Sequence, residues 1–278
     1  MHASLAPAAA VAYYEAKKLT IWVHSQGVYP IRDSIAKILG LENDSVRVIQ
    51  LEGSGSYGHN GADDAALDAA LLARKMQGCP VVVKWTRQDD FSWEPYGPAM
   101  VMKLHASLGN DNKIVEWNHD VWSYPHLGRP NAAKKGSDLL ASWHLSNPYD
   151  QVEPNPIHAP HVGSHRNADP IYEFPNKRIV KHFVPNSPLR TSALRSLGAY
   201  GNIFAIESFM DELANKAGAD PVEFRLNHLE DDRARAVIHA AVEEAGRRPK
   251  ENTEIADKTT SFGRGFAFSQ YKNRQCYA

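Results

Sequence analysis

Three short stretches carry residue types that could do chemistry. The first reads Gly53-Ser54-Gly55-Ser56-Tyr57-Gly58-His59-Asn60-Gly61 and lies between a strand-like run and the acidic start of a helix. Small residues let backbone approach a ligand closely, and the free amides of such a loop and of a helix start attract anions. The same composition also serves a plain turn. It is not a Walker loop, because no Gly-Lys-Ser/Thr follows, and it does not match the dinucleotide fingerprint with its later ribose-binding acid. The second stretch runs from Pro188 to Tyr200, where Arg190, Thr191, Ser192, Arg195 and Ser196 precede a helix. Guanidinium and hydroxyl donors there suit a phosphate or another oxygen-rich anion; a pair of solvated arginines is the plainer alternative. The third, His24-Ser25-Gln26-Gly27, closes a strand, and the Gln26 amide can donate to a ligand oxygen.

Other polar clusters read more plainly. His158, His161 and His165, with His144 upstream, have a spacing a metal could use, but no Cys-x-x-Cys or His-Glu-x-x-His accompanies them, so a loop is the preferred reading. Asp63 and Asp64 look like paired catalytic carboxylates, yet in a first helical turn the helix dipole explains them better. Glu207, Asp211 and Glu212 share a helix with Ile203, Phe204, Ile206 and Phe209. A structural role is the default there, with a buried Glu207–arginine pair as the alternative.

The elements that must position these residues follow from periodicity. Lys18 to Ser25 and Val46 to Leu51 alternate β-branched and aromatic residues and read as strands. A helix between them starts near Pro30, carries Ile31, Ile35, Ile38 and Leu39 on one face, and stops at Gly40. A second helix is predicted from about Ala62 to Gln77, its acids first and its bases last, then a short strand from Val81 to Thr86. This alternation predicts a layered α/β unit. Ala99 to Tyr124 reads as a hairpin turned at Gly109-Asn110-Asp111-Asn112. Gly128 to Asp169, rich in Pro, His, Asn and Ser, reads as a long loop or lid. Helices are expected over Tyr200 to Ala217, Pro221 to Leu229 and Ala234 to Ala245, the last ended by Gly246.

Composition bounds the function. In 278 residues, 43% are hydrophobic and 23% charged, which is ordinary for a folded chain of one or two domains. With a formal net charge of -1, nothing favours a nucleic acid or an anionic membrane as partner. No run of about 18 apolar residues exists, so no transmembrane helix is expected. Met1 to Tyr14 lacks the basic start of an export signal. Cys79 and Cys276 are too few for a disulfide framework or a four-thiolate iron–sulfur cluster. From Gly263 to Ala278 the alternation stops mid-pattern, and the expectation is a truncated strand.

Taken in order, Val23-His24-Ser25-Gln26-Gly27, the glycine-rich stretch through Ala62-Asp63-Asp64-Ala65, Pro80 to Arg87, Leu189 to Ala199 and Glu207 to Ala214 resemble the molybdopterin-binding large subunit of the xanthine dehydrogenase and aldehyde oxidase family. The isoquinoline 1-oxidoreductase beta subunit and nicotinate dehydrogenase type is the most similar branch, and the likeness runs over essentially the whole chain. The resemblance implies an α+β fold of mixed sheets with flanking helices, residues 1–278 forming part of the cofactor domain. Residues 1–95 are expected to form the α/β layer with the glycine-rich loop, residues 96–187 the hairpin and long loop, and residues 188–278 the arginine motif and helices. It further implies a molybdenum–molybdopterin cofactor, in its plain or cytosine dinucleotide form, and hydroxylation of a heteroaromatic ring or an aldehyde with oxygen from water. A separate [2Fe–2S] subunit would remove the electrons.

Residue by residue, Gln26 matches the family glutamine that bonds the apical oxo group of molybdenum. Tyr57 and Gly58 match the aromatic–glycine pair beside the metal, where many relatives have Phe in place of Tyr. Ala193, Leu194 and Arg195 match an Ala-Phe-Arg segment at the pterin, and Leu197 falls where many members carry an aromatic against substrate. No side chain here is implied as a direct metal ligand. The family's general-base glutamate, in a Gly-x-Gly-Glu motif, has no counterpart in these residues, so no catalytic residue is assigned. The expectation is a chain that needs the remaining half of the large subunit and turns over little alone. A non-catalytic fragment or split-subunit scaffold is the alternative. A cytoplasmic and a periplasmic location are both compatible with the sequence.

Overall fold

A computed structural model describes residues 1–158, 163–247, 265–271 and 276–278. It forms two compact units, each assembled from three chain segments. The first unit takes Met1–Ala99, Ser123–Gly163 and Phe183–Leu197; the second takes Met100–Trp122, Ser164–His182 and Gly198–Ala278.

The first unit is built on a four-stranded sheet. Strand β1 (Ala9–Glu15) and β2 (Lys18–Val23) form an antiparallel hairpin, in register from Ala10 opposite Val23 to Glu15 opposite Lys18. Ala16 and Lys17 turn it with φ of 47° and 63°, the left-handed pair a tight hairpin needs, made without Asn or Gly. Sequence reading placed no strand before Lys18, yet β1 alternates buried Ala10, Ala12 and Tyr14 with half-buried neighbours. Helix α1 (Val28–Leu39) crosses from β2 to β3 (Val46–Gln50), and the two strands pair in parallel, Leu19 opposite Val46. Such a pairing requires a crossover. Gly40 ends α1 at φ 62°, its amide returning to Ala36 and Lys37 carbonyls.

Helix α2 (Ala62–Lys75) packs on β1 and β2 through Ala65, Ala66, Ala69, Ala70 and Ala73, which are fully buried, and small side chains bring the helix close to the sheet. Strand β4 (Val81–Lys84) pairs antiparallel with β1, which gives the order β3-β2-β1-β4. The expected α/β layer is therefore a mixed sheet, because β1 enters it by a hairpin and not by a crossover. Helix α3 (Arg87–Trp93) starts on a capping box between Thr86 and Asp89. The unit's part of the long loop contains one 3-10 turn, Leu140–His144.

In the second unit β5 (Met100–Leu108), β6 (Ile114–Ser123) and β7 (Asn176–Phe183) form a three-stranded sheet in that order. The β5–β6 turn falls at Gly109 to Asn112 as predicted, with Asn112 at φ 59° and the Gly109 amide on the Lys113 carbonyl at 2.8 Å. Helix α4 (Ala199–Ala217) packs on β5 and on α5 (Pro221–Leu226), which starts on Asp220 capping the Val222 and Glu223 amides. Helix α6 (Asp232–Arg247) includes Gly246, the predicted stop, as its last residue but one within the described stretch. The core gathers Trp117, Tyr172, Phe174, Ile206, Met210, Phe224 and Ile238, with Trp117 stacked on Phe174 at 5.0 Å. Of the final alternating stretch, β8 (Gln270–Tyr271) pairs antiparallel with β9 (Cys276–Tyr277), while Gly263 and Arg264 lie outside the described residues.

The units interleave along the chain, so the hairpin and the loop of residues 96–187 divide between them. Division by sequence order and division in space are different cuts here.

Candidate cofactor site

The glycine-rich loop and the arginine motif meet in the first unit. Gly58 and Leu194 form an isolated antiparallel bridge, and the His59 amide donates to the Ala193 carbonyl at 2.8 Å. A Cβ on Gly58, at φ 122°, would stand 2.0 Å from that carbonyl oxygen, so only glycine permits the approach. The Ala193 carbonyl also lies 3.0 Å from His2 Nε2, and the His2 amide donates to buried Glu94 at 2.7 Å. Tyr57, Ser196 and Leu197 hold φ of 52°, 72° and 53°. Left-handed non-glycine residues cost free energy and tend to cluster where a site imposes its own geometry.

A relay of buried side chains fixes this meeting. Asp63, in the first turn of α2, lies 2.9 Å from His59 Nε2, and His59 Nδ1 lies 2.8 Å from Ser192 Oγ. Burial pushes the Asp63 carboxyl up, but bonds from His59 and Ser25 and the charge of Arg129 outweigh it and hold the group below the usual carboxylate range. An ionised Asp63 only accepts, so with a neutral imidazole Nε2 carries the proton and Nδ1 accepts from the Ser192 hydroxyl. The Ser192 oxygen then accepts from the Gly128 amide at 3.0 Å.

Asp64 does a different job. Its two oxygens take a bidentate contact from Arg190 at 2.9 and 2.8 Å, and Oδ1 accepts the Leu140 amide at 2.9 Å. The two acids are thus more than dipole partners: each ties α2 to a separate loop. Arg190 is committed to Asp64 and to the Trp93 carbonyl. Arg195, by contrast, is exposed and its guanidinium has no hydrogen bond or ion pair among the described residues. Of the two arginines in the motif, only Arg195 is open to an anion.

Gln26 joins this arrangement through its neighbour. Ser25, buried, bonds Asp63 and accepts the Gly27 amide at 3.1 Å. The Gln26 side chain is exposed, and its Oε1 accepts from Arg129 Nη2. Gln26 Nε2 and the amides of Tyr57 and Gly58 have no partner among the described residues. Leu197 is half-buried, its amide on the Leu194 carbonyl at 2.9 Å.

Sequence reading therefore named the three stretches, with His59, Asp63 and Ser192 among their residues, but not the bonds that join them; the Ser192 hydroxyl, read as a donor for an anion, is held by His59 and the Gly128 amide. His59 and Asp63 carry a legible signal in their i, i+4 spacing at a helix start. Gly128 and Arg129 carry none, since their partners are remote in sequence. Among the described residues no group of three His, Cys, Asp or Glu side chains is placed to hold a metal; His161 lies outside them.

Known proteins match the region that holds these stretches. The family described as the molybdopterin cofactor-binding domain matches residues 1–153 and 156–229. A nicotinate dehydrogenase subunit of Pseudomonas putida is 35% identical over 274 residues, covering 98% of this chain and 22% of that protein. The beta subunit of isoquinoline 1-oxidoreductase from Brevundimonas diminuta is 28% identical over 254 residues, 91% of this chain and 29% of that protein. In fold, quinoline 2-oxidoreductase from Pseudomonas putida 86 superposes with a TM-score of 0.65 at 17% identity, over 88% of this chain and 31% of that one. The aldehyde oxidoreductase of Desulfovibrio gigas does so at 0.59 and 22% identity, over 88% of this chain and 26% of that one. The chain spans under a third of the length of each of these proteins. The family match runs through Gln26, the glycine-rich loop and the arginine motif alike, and the chain belongs to the molybdopterin cofactor-binding domain family.

Proposed function

We propose that this chain supplies part of the cofactor pocket of a molybdenum hydroxylase that acts on a heteroaromatic ring or an aldehyde. The observation that carries the reading is the Gly58–Leu194 bridge, which unites the glycine-rich loop with the arginine motif. The donor set fits an oxygen-rich, anionic group: unpartnered amides at Tyr57 and Gly58, the free Nε2 of Gln26 and the uncommitted guanidinium of Arg195. When bound, the molybdenum cofactor supplies the two-electron oxidation, with oxygen drawn from water.

The chain's own residues bind and orient. Gln26 donates to a cofactor oxygen, and the Tyr57 and Gly58 amides are free to donate to others. Ala193 and Leu194 hold the opposing backbone, while Arg195 pairs with a phosphate, which suits either the plain or the cytosine dinucleotide cofactor. Leu197 offers an apolar side chain to the substrate. None of these side chains ligates the metal. No Gly-x-Gly-Glu run occurs in the 278 residues, so we assign the general base to the remainder of the large subunit and electron removal to a separate [2Fe–2S] subunit.

The test is elemental analysis of the protein produced with its downstream sequence and an iron–sulfur partner. Close to one molybdenum per chain is expected, and Gly58→Ala should lose most of it. The added methyl must break the Ala193 contact, at a cost of about 1–3 kcal/mol or more. Correctly assembled protein without molybdenum would overturn the proposal.

A further inference from the structure

The side chain that faces Gln26 assigns a further role in the same site. We infer that Arg129 is a positioning residue, which sets the Gln26 carboxamide so that its NH2 group, and not its oxygen, is presented to the cofactor. This rests on the reading that Gln26 faces the cofactor.

A carboxamide has one accepting arm and one donating arm, and nothing in its own torsion distinguishes them. Guanidinium can only donate. The arm that meets Arg129 Nη2 must therefore be Oε1, which leaves Nε2 on the other side, where no described residue takes it. Turning the amide over would set donor against donor. Arg129 is itself well held for this task. The amide of Gly128, before it, is bound at 3.0 Å to Ser192 Oγ, a fully buried atom fixed by His59. After it comes Pro130, buried and restricted in φ. Burial pulls its pKa down, and the Asp63 carboxylate nearby offsets part of that by favouring its charge. The relay Asp63–His59–Ser192 thus positions both the loop that carries Arg129 and, through Ser25, the strand end that carries Gln26.

Gln26 could be read from a motif. Arg129 could not, because it lies 103 positions away in a segment without periodicity.

The test compares Arg129→Met, Arg129→Lys, Gln26→Ala and the double variant Gln26→Ala/Arg129→Met in the assembled full-length enzyme. Molybdenum content, the electron paramagnetic resonance spectrum of the molybdenum centre, and kcat are measured for each. Arg129→Met and Gln26→Ala are expected to alter the spectrum in the same way and to lower kcat, Arg129→Met by about 10- to 100-fold, the range for losing a partner that orients a group at a metal site. The double variant should be no worse than either single one, and Arg129→Lys, which still only donates, should restore the spectrum. A double variant that falls by the product of the two losses would show Arg129 acting apart from Gln26 and would overturn the inference. So would an Arg129→Met spectrum identical to wild type while Gln26→Ala changes it; the cofactor reading would then stand. A Gln26→Ala enzyme with wild-type molybdenum content and spectrum would remove the reading itself. Should Arg129→Met fail to fold, Arg129→Gln takes its place with the same outcomes deciding, since a glutamine can both donate and accept.

Discussion

Asp138 illustrates how one residue in the long loop can shape stability. Its Oδ2 is buried without a partner among the described residues, and its neighbours include Arg190, Lys134 and His59 as well as Asp64. Burial pushes its carboxyl up to about 6, against the downward pull of the nearby cations. Here the folded value exceeds the unfolded one, so between about pH 6 and pH 4 the folded protein holds a proton that the unfolded chain does not. Stability from this group therefore rises as pH falls through that window. Asp63 has the opposite sign: held low in the folded state, it adds stability above its unfolded value and loses it only at more acid pH. Asp138→Asn is expected to raise the Tm at pH 8 and to flatten the change between pH 6 and 4. Melting curves across that range check it, and an unchanged slope would show that Asp138 does not titrate there.

At the scale of elements, α4 and α5 are joined by a charge locked in the second unit's core. Arg225, fully buried, donates through Nε to Glu207 at 2.8 Å, through Nη1 to Asp211 at 2.7 Å, and to the Pro221 and Glu207 carbonyls. Glu207 also accepts from Tyr172 and from the Phe268 amide, both at 2.9 Å. Breaking such a pair leaves an uncompensated charge, so Arg225→Met is expected to cost about 3–5 kcal/mol in denaturant unfolding. Glu207→Leu in addition should recover much of that loss, because two apolar groups can replace a buried pair; no recovery would mean that the packing, not the charge, was lost. Much of this layer of structure was legible. The Ile31/Ile35/Leu39 stripe, the Gly109–Asn112 turn and the amphipathic Tyr200–Ala217 run fix their elements by local pattern alone. What stayed hidden depends on partners far along the chain. Strand β1 is alanine-rich and turns on Ala16-Lys17, so neither propensity nor turn chemistry announces it. Arg190 and Arg195 look alike in sequence, and only the position of Asp64 separates a structural arginine from an open one. Gln26, Tyr57 and Arg195 were nameable only because the motifs around them match a family; spacing within each stretch alone favours a plain turn or solvated side chains over a ligand site.

On the scale of the whole molecule, the chain covers 22% of the nicotinate dehydrogenase subunit it matches, and its 278 residues contain no Gly-x-Gly-Glu run; on the proposed reading they bind and orient the cofactor and leave the proton acceptor to the rest of the large subunit. These 278 residues alone are accordingly expected to show no hydroxylation of nicotinate, quinoline or aldehyde substrates. The assembled enzyme should turn over at least one of these classes, and a steady-state assay on both preparations separates the cases. Turnover by the short chain at the rate of the assembly would require a base within it.

The interleaving of the two units also bears on how the polypeptide acquires its shape during synthesis. Phe183–Leu197 is the last segment of the first unit to leave the ribosome, and it holds Arg190, Ser192 and the backbone that receives Gly58 and His59. The sheet and α2 are complete about a hundred residues earlier, with Asp64 and His59 still waiting for their partners. Sealing the loop is a late, long-range closure, and such contacts are slow to form because chain entropy must be lost before they repay it. A nascent chain halted before residue 183 would keep a folded first layer but an unfinished pocket, with two acids buried around a missing arginine and serine.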